Sequence, residues 1–221
     1  MKKIFLFCLL LAGLASCSSS KDEPAVVQEP VIGTNTRFAE QYPYYYMYDG
    51  KQIRFDLTDQ MSYVILKAAD KDAFISTMSE KGIDLSDALF YEYFNRKLDS
   101  IGEGKELFDD CIFTSVKTDY KDIATLPEVV YAGPYIVPAE FPELMAMMTN
   151  RLYVRYSDSV SSLSDFLKTL GVLVLGYNSN LGVYIIACTK DSKGTPADIA
   201  LELYESNKFS LVEIEFPYSG F

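Results

Sequence analysis

Two stretches of the chain repeat one pattern of apolar and polar positions. Tyr63-Val64-Ile65-Leu66-Lys67 and Tyr153-Val154-Arg155-Tyr156 are short runs of strand formers, each followed by a polar turn containing Asp70 or Asp158. An amphipathic stretch follows each turn and ends on glycine: Phe74, Ile75, Met78 and Gly82 in one, Leu163, Phe166, Leu167, Leu170 and Gly171 in the other. Such spacing lays one apolar stripe along a helix. The two glycines stand where a left-handed C-cap is needed, and Ser162 with Asp165 predicts a capping box at the second helix start.

The second half stays legible downstream. Val172 to Tyr177 predicts a strand, Asn178-Ser179-Asn180 a turn, and Gly182 to Cys188 the returning strand of a hairpin. Thr195-Pro196-Ala197-Asp198 is a helix start with a cap residue, an N1 proline and an acid at N3. That helix is expected to run to Asn207. A last strand, Ser210 to Phe216, alternates Val212, Ile214 and Phe216 inward against Leu211, Glu213 and Glu215. The order β-α-β-β-α-β predicts a ferredoxin-like unit over residues 141–221.

Residues 41–140 follow the same order less cleanly. By the repeat, Ala88 to Phe94 is expected as the second strand, with an aromatic-rich helix as the alternative, Arg96 to Asp110 as a long hairpin connection with Gly102 and Gly104, and Ile112 to Lys117 as the third strand. Asp119 to Leu126 predicts a short helix and Val129 to Val137 the final strand. The predicted fold class is therefore α+β: two tandem ferredoxin-like (βαββαβ) units with antiparallel sheets.

A different signal precedes them. Met1-Lys2-Lys3 is cationic, Ile4 to Leu14 is almost unbroken apolar chain, and Leu14-Ala15-Ser16-Cys17 resembles a bacterial lipobox. The apolar run is too short to span a bilayer, which takes ~20 residues. Residues 1–16 are thus expected to be a lipoprotein signal peptide, and Cys17 the lipidation site, its sulfur carrying the diacylglycerol. Losing Lys2 and Lys3 takes the formal charge from −11 to −13. Ser18 takes the place of the Asp that retains such proteins at the inner membrane, and Ser18-Ser19-Ser20-Lys21-Asp22-Glu23 resembles an acidic surface-export tag. Residues 17–40 form the expected lipidated tether, whose stretch from Pro24 to Thr36 spans on the order of 40 Å if extended. Outer-membrane anchoring with surface display is the predicted location.

Composition narrows the chemistry. The chain has 221 residues, 49% of them apolar and 23% charged, as in a folded globular protein. It contains no His, which removes Ser-His and Cys-His nucleophile pairs and the usual zinc sites. A net charge of −11 repels phosphate backbones, so no nucleic-acid partner is expected. Cys111 and Cys188 remain after processing, as a disulfide or as two small buried apolar residues.

Other candidates are weaker. Glu213 and Glu215 lie at i and i+2 on one strand face, as paired carboxylates or as a solvated edge. Asp109-Asp110 lacks the spaced oxygens of a calcium loop, and Ser157, Ser159, Ser161, Ser162 and Ser164 lack a nucleophile elbow. No catalytic residue, cofactor or metal is expected. Alternate tyrosines in the run Tyr42 to Tyr48 either present a row outward, with Tyr44, Tyr46 and Tyr48 as partner contacts, or lay that row across a sheet edge.

The stretch Tyr44 to Ile53, together with Leu152-Tyr153-Val154-Arg155, Ala187 to Gly194 and Val212 to Phe216, resembles the region preceding the catalytic domain in certain secreted bacterial subtilases. That region is similar to the subtilase propeptide, which is ferredoxin-like. The resemblance spans about residues 44–221 and includes none of the catalytic motifs. It implies a propeptide-like body, with Tyr218 and Phe221 in the position of an inhibitory tail.

The expected function is a lipid-anchored, surface-exposed, non-catalytic binding or scaffold lipoprotein. Its expected partners are the membrane, through Cys17, and a surface protein, a glycan or a subtilase. The alternative is a stand-alone propeptide-like inhibitor or folding chaperone of a subtilase.

Overall fold

The longest element is a strand that serves both faces of one sheet. A computed structural model describes residues 43–48, 51–93, 98, 100–156 and 160–216, with the backbone alone at 46–48, 51, 160 and 161. The first elements are β1 (Tyr44–Tyr48), β2 (Lys51–Lys67), α1 (Lys71–Glu80), β3 (Tyr91–Glu92), β4 (Ser100–Ile101), β5 (Cys111–Val116), β6 (Val129–Pro138) and β7 (Ala146–Met147). The rest of the chain is β8 (Arg151–Tyr156), α2 (Val160–Thr169), β9 (Val172–Asn178), β10 (Val183–Cys188), α3 (Pro196–Glu205) and β11 (Phe209–Ile214). Along β2, Tyr63 and Ile65 enter one buried cluster and Val64 and Leu66 another. Successive side chains on a strand point to opposite faces, so β2 is covered on both sides.

The fold is α+β, with every strand pair antiparallel. One sheet runs β3-β5-β2-β6-β7, with β1 paired to the front of β2; the other runs β11-β8-β10-β9-β4. In both, the first strand of the half (β2 or β8) lies between the third (β5 or β10) and the fourth (β6 or β11). The second strand (β3 or β9) sits beyond the third.

The helices follow from their apolar stripes. Leu163, Leu167 and Leu170 on and just after α2 are at most 1% exposed, and fully burying one such side chain stabilises by about 1.5–3 kcal/mol. Gly82 and Gly171, with φ of 75° and 69°, end α1 and α2 in the left-handed region. At α3, the Thr195 hydroxyl accepts from the Asp198 N–H and the Asp198 carboxylate accepts from the Thr195 N–H, closing the capping box.

Several expectations need correction. The second strand of the first half shrinks to Tyr91–Glu92, and the helix expected at Asp119 to Leu126 is a single 3₁₀ turn, Tyr120–Asp122. Ser162 is not a cap, because α2 starts two residues earlier at Val160. Helix α3 stops at Glu205 and β11 spans Phe209–Ile214. The connection from Arg96 to Asp110 does more than join two strands, since its β4 pairs with β9 in the other sheet, Ser100 opposite Tyr177 and Ile101 opposite Gly176. Two glycines permit this contact. A Cβ on Gly102 would lie 2.2 Å from the Val174 carbonyl oxygen, and one on Gly176 would lie 2.2 Å from that of Ser100.

The two halves share a core. One buried cluster holds Phe55, Tyr63, Tyr93, Tyr131 and Tyr135 together with Leu152, Val154, Leu163, Leu167, Ile186 and Leu203. A smaller cluster, built on Val64, Leu66, Phe74, Met78 and Ile123, lies on the α1 side of the first sheet.

Candidate functional site

The strongest polar constellation is buried. Beyond Ile214 the chain keeps its place beside β8: the Glu215 N–H donates to the Arg151 carbonyl at 2.9 Å and the Thr149 N–H to the Glu215 carbonyl at 3.1 Å. This backbone pairing brings the Glu215 carboxylate onto the Arg151 guanidinium, an ion pair with both residues 7% exposed. The Tyr153 hydroxyl donates to Glu215 Oε1, and the Thr149 hydroxyl donates at 3.2 Å to Glu215 Oε2, the oxygen that also takes the Arg151 guanidinium. Arg151 also lies over the Tyr93 ring, 4.9 Å from its centroid. The Tyr93 hydroxyl donates to Asn150 Oδ1 at 2.9 Å, and Asn150 Nδ2 donates to the Cys188 carbonyl at 2.8 Å.

Glu215 therefore does not sit on a solvated strand face with Glu213. Glu213 is exposed and Glu215 is covered. Burial opposes the charge on Arg151, but Tyr93 and then Glu215 outweigh it and hold the guanidinium above its ordinary pKa. Burial also pushes the Tyr63 phenol well up. A carboxylate given to internal donors in this way has little left for a substrate. The cluster ties Tyr93, from the first half, to β8 and the end of β11.

Both remaining thiols are free and buried. Burial raises the pKa of Cys111 and pushes Cys188 up to about 12, so neither offers the thiolate that oxidation or nucleophilic attack requires.

Tyr44 is occupied within the fold. Its hydroxyl donates to Asp198 Oδ1 at 2.9 Å, and its ring stacks on Phe55 at 5.7 Å. Burial first, then the Asp198 bond, raises this phenol's pKa. Tyr45 stacks on Tyr204 of α3 at 5.9 Å. The aromatic strand thus latches the front of β2 onto α3. Tyr46 and Tyr48 belong to β1 by backbone, paired with Ile53 and Lys51. Cys17, Tyr218 and Phe221 lie outside the described residues. Asp109 pairs with Lys105, and Ser164 donates to Glu103. Among the described residues no group of three His, Cys, Asp or Glu side chains is placed to hold a metal ion.

An open concavity lies among the described residues, lined by none of the candidates named above. It is a cleft of about 530 Å³ lined by Asp56, Leu57, Asp59, Asp119, Tyr120 and Pro142, among others. Its origin is local. Pro134 has no N–H for the ladder, and the β2–β6 register jumps from Thr58 opposite Tyr135 to Ser62 opposite Pro134. Residues 59–61 bulge as a result, and the Asp119 turn closes one wall. The Asp119 carboxylate accepts the Lys121 N–H at 3.0 Å, while that of Asp56 accepts the Leu57 N–H at 2.8 Å. Three aspartates against Lys121 give the cleft a negative potential. Its signal in sequence is the acidic interruption Asp56-Leu57-Thr58-Asp59 within a strand-forming run.

No protein-family model, curated protein or solved structure matches the chain.

Proposed function

We propose that this chain is a lipid-anchored, surface-displayed, non-catalytic binding module, held in the outer membrane through Cys17. The observation that carries the binding part is how its polar groups are distributed. Those best suited to bond chemistry are withdrawn from solvent: Glu215 and Arg151 are buried against each other, and the two thiols are buried. What faces solvent is an acid-lined cleft with aromatic and proline walls, a surface suited to holding a partner. The anchor rests on the lipobox Leu14-Ala15-Ser16-Cys17. Cys17→Ala is expected to abolish acylation and move the protein out of the outer-membrane fraction. Wild-type levels of the variant in that fraction would sink the anchor, and resistance of intact cells to protease shaving would remove surface display.

A second reading has its own support. Both halves arrange their strands with the first between the third and fourth, which is the ferredoxin-like order. We infer that each half is a ferredoxin-like unit, as the resemblance to subtilase propeptides implies. On this reading the protein is a stand-alone inhibitor or folding chaperone of a subtilase. Its sheet packs on the enzyme, and the segment ending in Tyr218 and Phe221 adds a strand to the substrate cleft. Micromolar protein should then inhibit a subtilase secreted by the same cell, and deleting Tyr218 to Phe221 should weaken inhibition at least tenfold, about 1.4 kcal/mol. Protease activity unchanged by the intact protein would end this reading.

A further inference from the structure

We propose that loop 139–145 is a second membrane contact, its apolar tip entering the leaflet that holds the acyl chains of Cys17; this rests on the lipid anchor proposed above. Residues 141–145 read Phe-Pro-Glu-Leu-Met and all five are exposed. Phe141, Leu144 and Met145 are 44%, 43% and 47% accessible. Single exposed apolar residues are ordinary, whereas three large ones within five positions form a local apolar patch.

The loop is built rather than frayed. At its start the Ala139 N–H donates to the Arg54 carbonyl at 2.9 Å and the Phe141 N–H to the Pro138 carbonyl at 3.1 Å. Within it the Leu144 N–H donates to the Phe141 carbonyl at 3.0 Å. At its end Ala146 is buried and pairs with Ile136. A tip whose backbone groups bond internally leaves water at lower cost than one whose groups do not.

Its place in the fold points to the occupant. Tyr44 pairs with Phe55, and Phe55 pairs on its other side with Pro138. The chain coming from Cys17 therefore joins the body two strand spacings, ~10 Å, from the root of the loop. The linker predicted from sequence keeps the body within tens of ångströms of the leaflet. At the effective concentration such tethering supplies, even a weak apolar contact is populated.

Charge selects the kind of lipid. Glu140 and Glu143 are exposed beside the apolar residues, and no Lys or Arg occurs between residues 139 and 150. Attraction is therefore apolar, and a zwitterionic surface suits the loop better than an anionic one.

The test uses the full lipidated chain in vesicles of phosphatidylethanolamine and phosphatidylcholine carrying brominated quencher lipids. An environment-sensitive dye is placed at Leu144→Cys or, for comparison, at Leu181→Cys, another exposed apolar position (51%) on the β9–β10 turn. Quenching at 144 is expected to be at least threefold stronger than at 181, and to weaken when half the lipid is phosphatidylglycerol. Protein that floats with the vesicles but is quenched no more at 144 than at 181 would overturn the loop's role alone. Protein that does not float would overturn both the anchor and the loop. A label at 144 that is shielded only after outer-membrane protein is added would assign the loop to a protein partner and overturn the lipid contact.

Discussion

Arg151→Met is expected to destabilise the protein by about 3–5 kcal/mol in denaturant unfolding, the usual cost of breaking a buried pair from one side. The variant leaves the Glu215 carboxylate 7% exposed without the guanidinium that balances its charge. Tyr153 and Thr149 still donate to it, which limits the loss but does not neutralise it. Methionine fills a similar volume, so the cost comes from charge rather than from a cavity. Arg151→Met with Glu215→Leu should restore more than half of it, because an apolar pair of similar size can match a buried ion pair. A double variant no more stable than Arg151→Met would mean that the pair is not the source of the loss. The single variant should also loosen Tyr93, whose ring lies under the guanidinium.

The same two residues show where sequence reading stops. Alternation along the last strand places Glu213 and Glu215 on one face, and the backbone agrees, pairing Glu213 with Tyr153 and Glu215 with Arg151. Alternation does not report which part of a face another segment covers. Near Arg151 the face is covered by Tyr93 of the first half, whereas at Glu213 it is open. The helix stripes of α1 and α2 and the Thr195 to Asp198 start were readable because their signals are local. A 3.6-residue period, a glycine after the last turn and a cap three residues before its acid all lie within one segment. Strand β4 carries no such signal. Its Ile101 pairs with Gly176, 75 positions away, and the pairing depends on two glycines that let backbones approach. Strand β3 is shorter than the Ala88 to Phe94 that the repeat predicts for a related reason: a repeated order of elements does not report which residues are covered, and Leu89 and Tyr91 are 67% and 50% exposed. The cleft is a tertiary product of a bulge, a proline and a turn, none of which marks a binding surface by itself.

Leu167→Ala is the sharpest test of the shared core, with an expected loss of about 2–5 kcal/mol. Leu167 is 0% exposed on α2, and its cluster includes Phe55 and Tyr63 as well as Leu163, Val172 and Ile186. Truncation removes a methine and two methyl groups and leaves a void that close-packed neighbours refill only in part. Because that cluster joins residues of both halves, the loss should appear as one shifted transition rather than as early melting of residues 141–221 alone. Two neighbours on the helix provide contrast. Phe166, half-buried against Phe209, should cost less on truncation than Leu167. Lys168 reaches Glu103 at 3.3 Å with both side chains about half exposed, and Lys168→Ala should leave the midpoint unchanged within error. A loss below ~0.5 kcal/mol at Leu167 would put the buried face of α2 elsewhere. Two separate transitions in the variant would show that the halves fold on cores of their own.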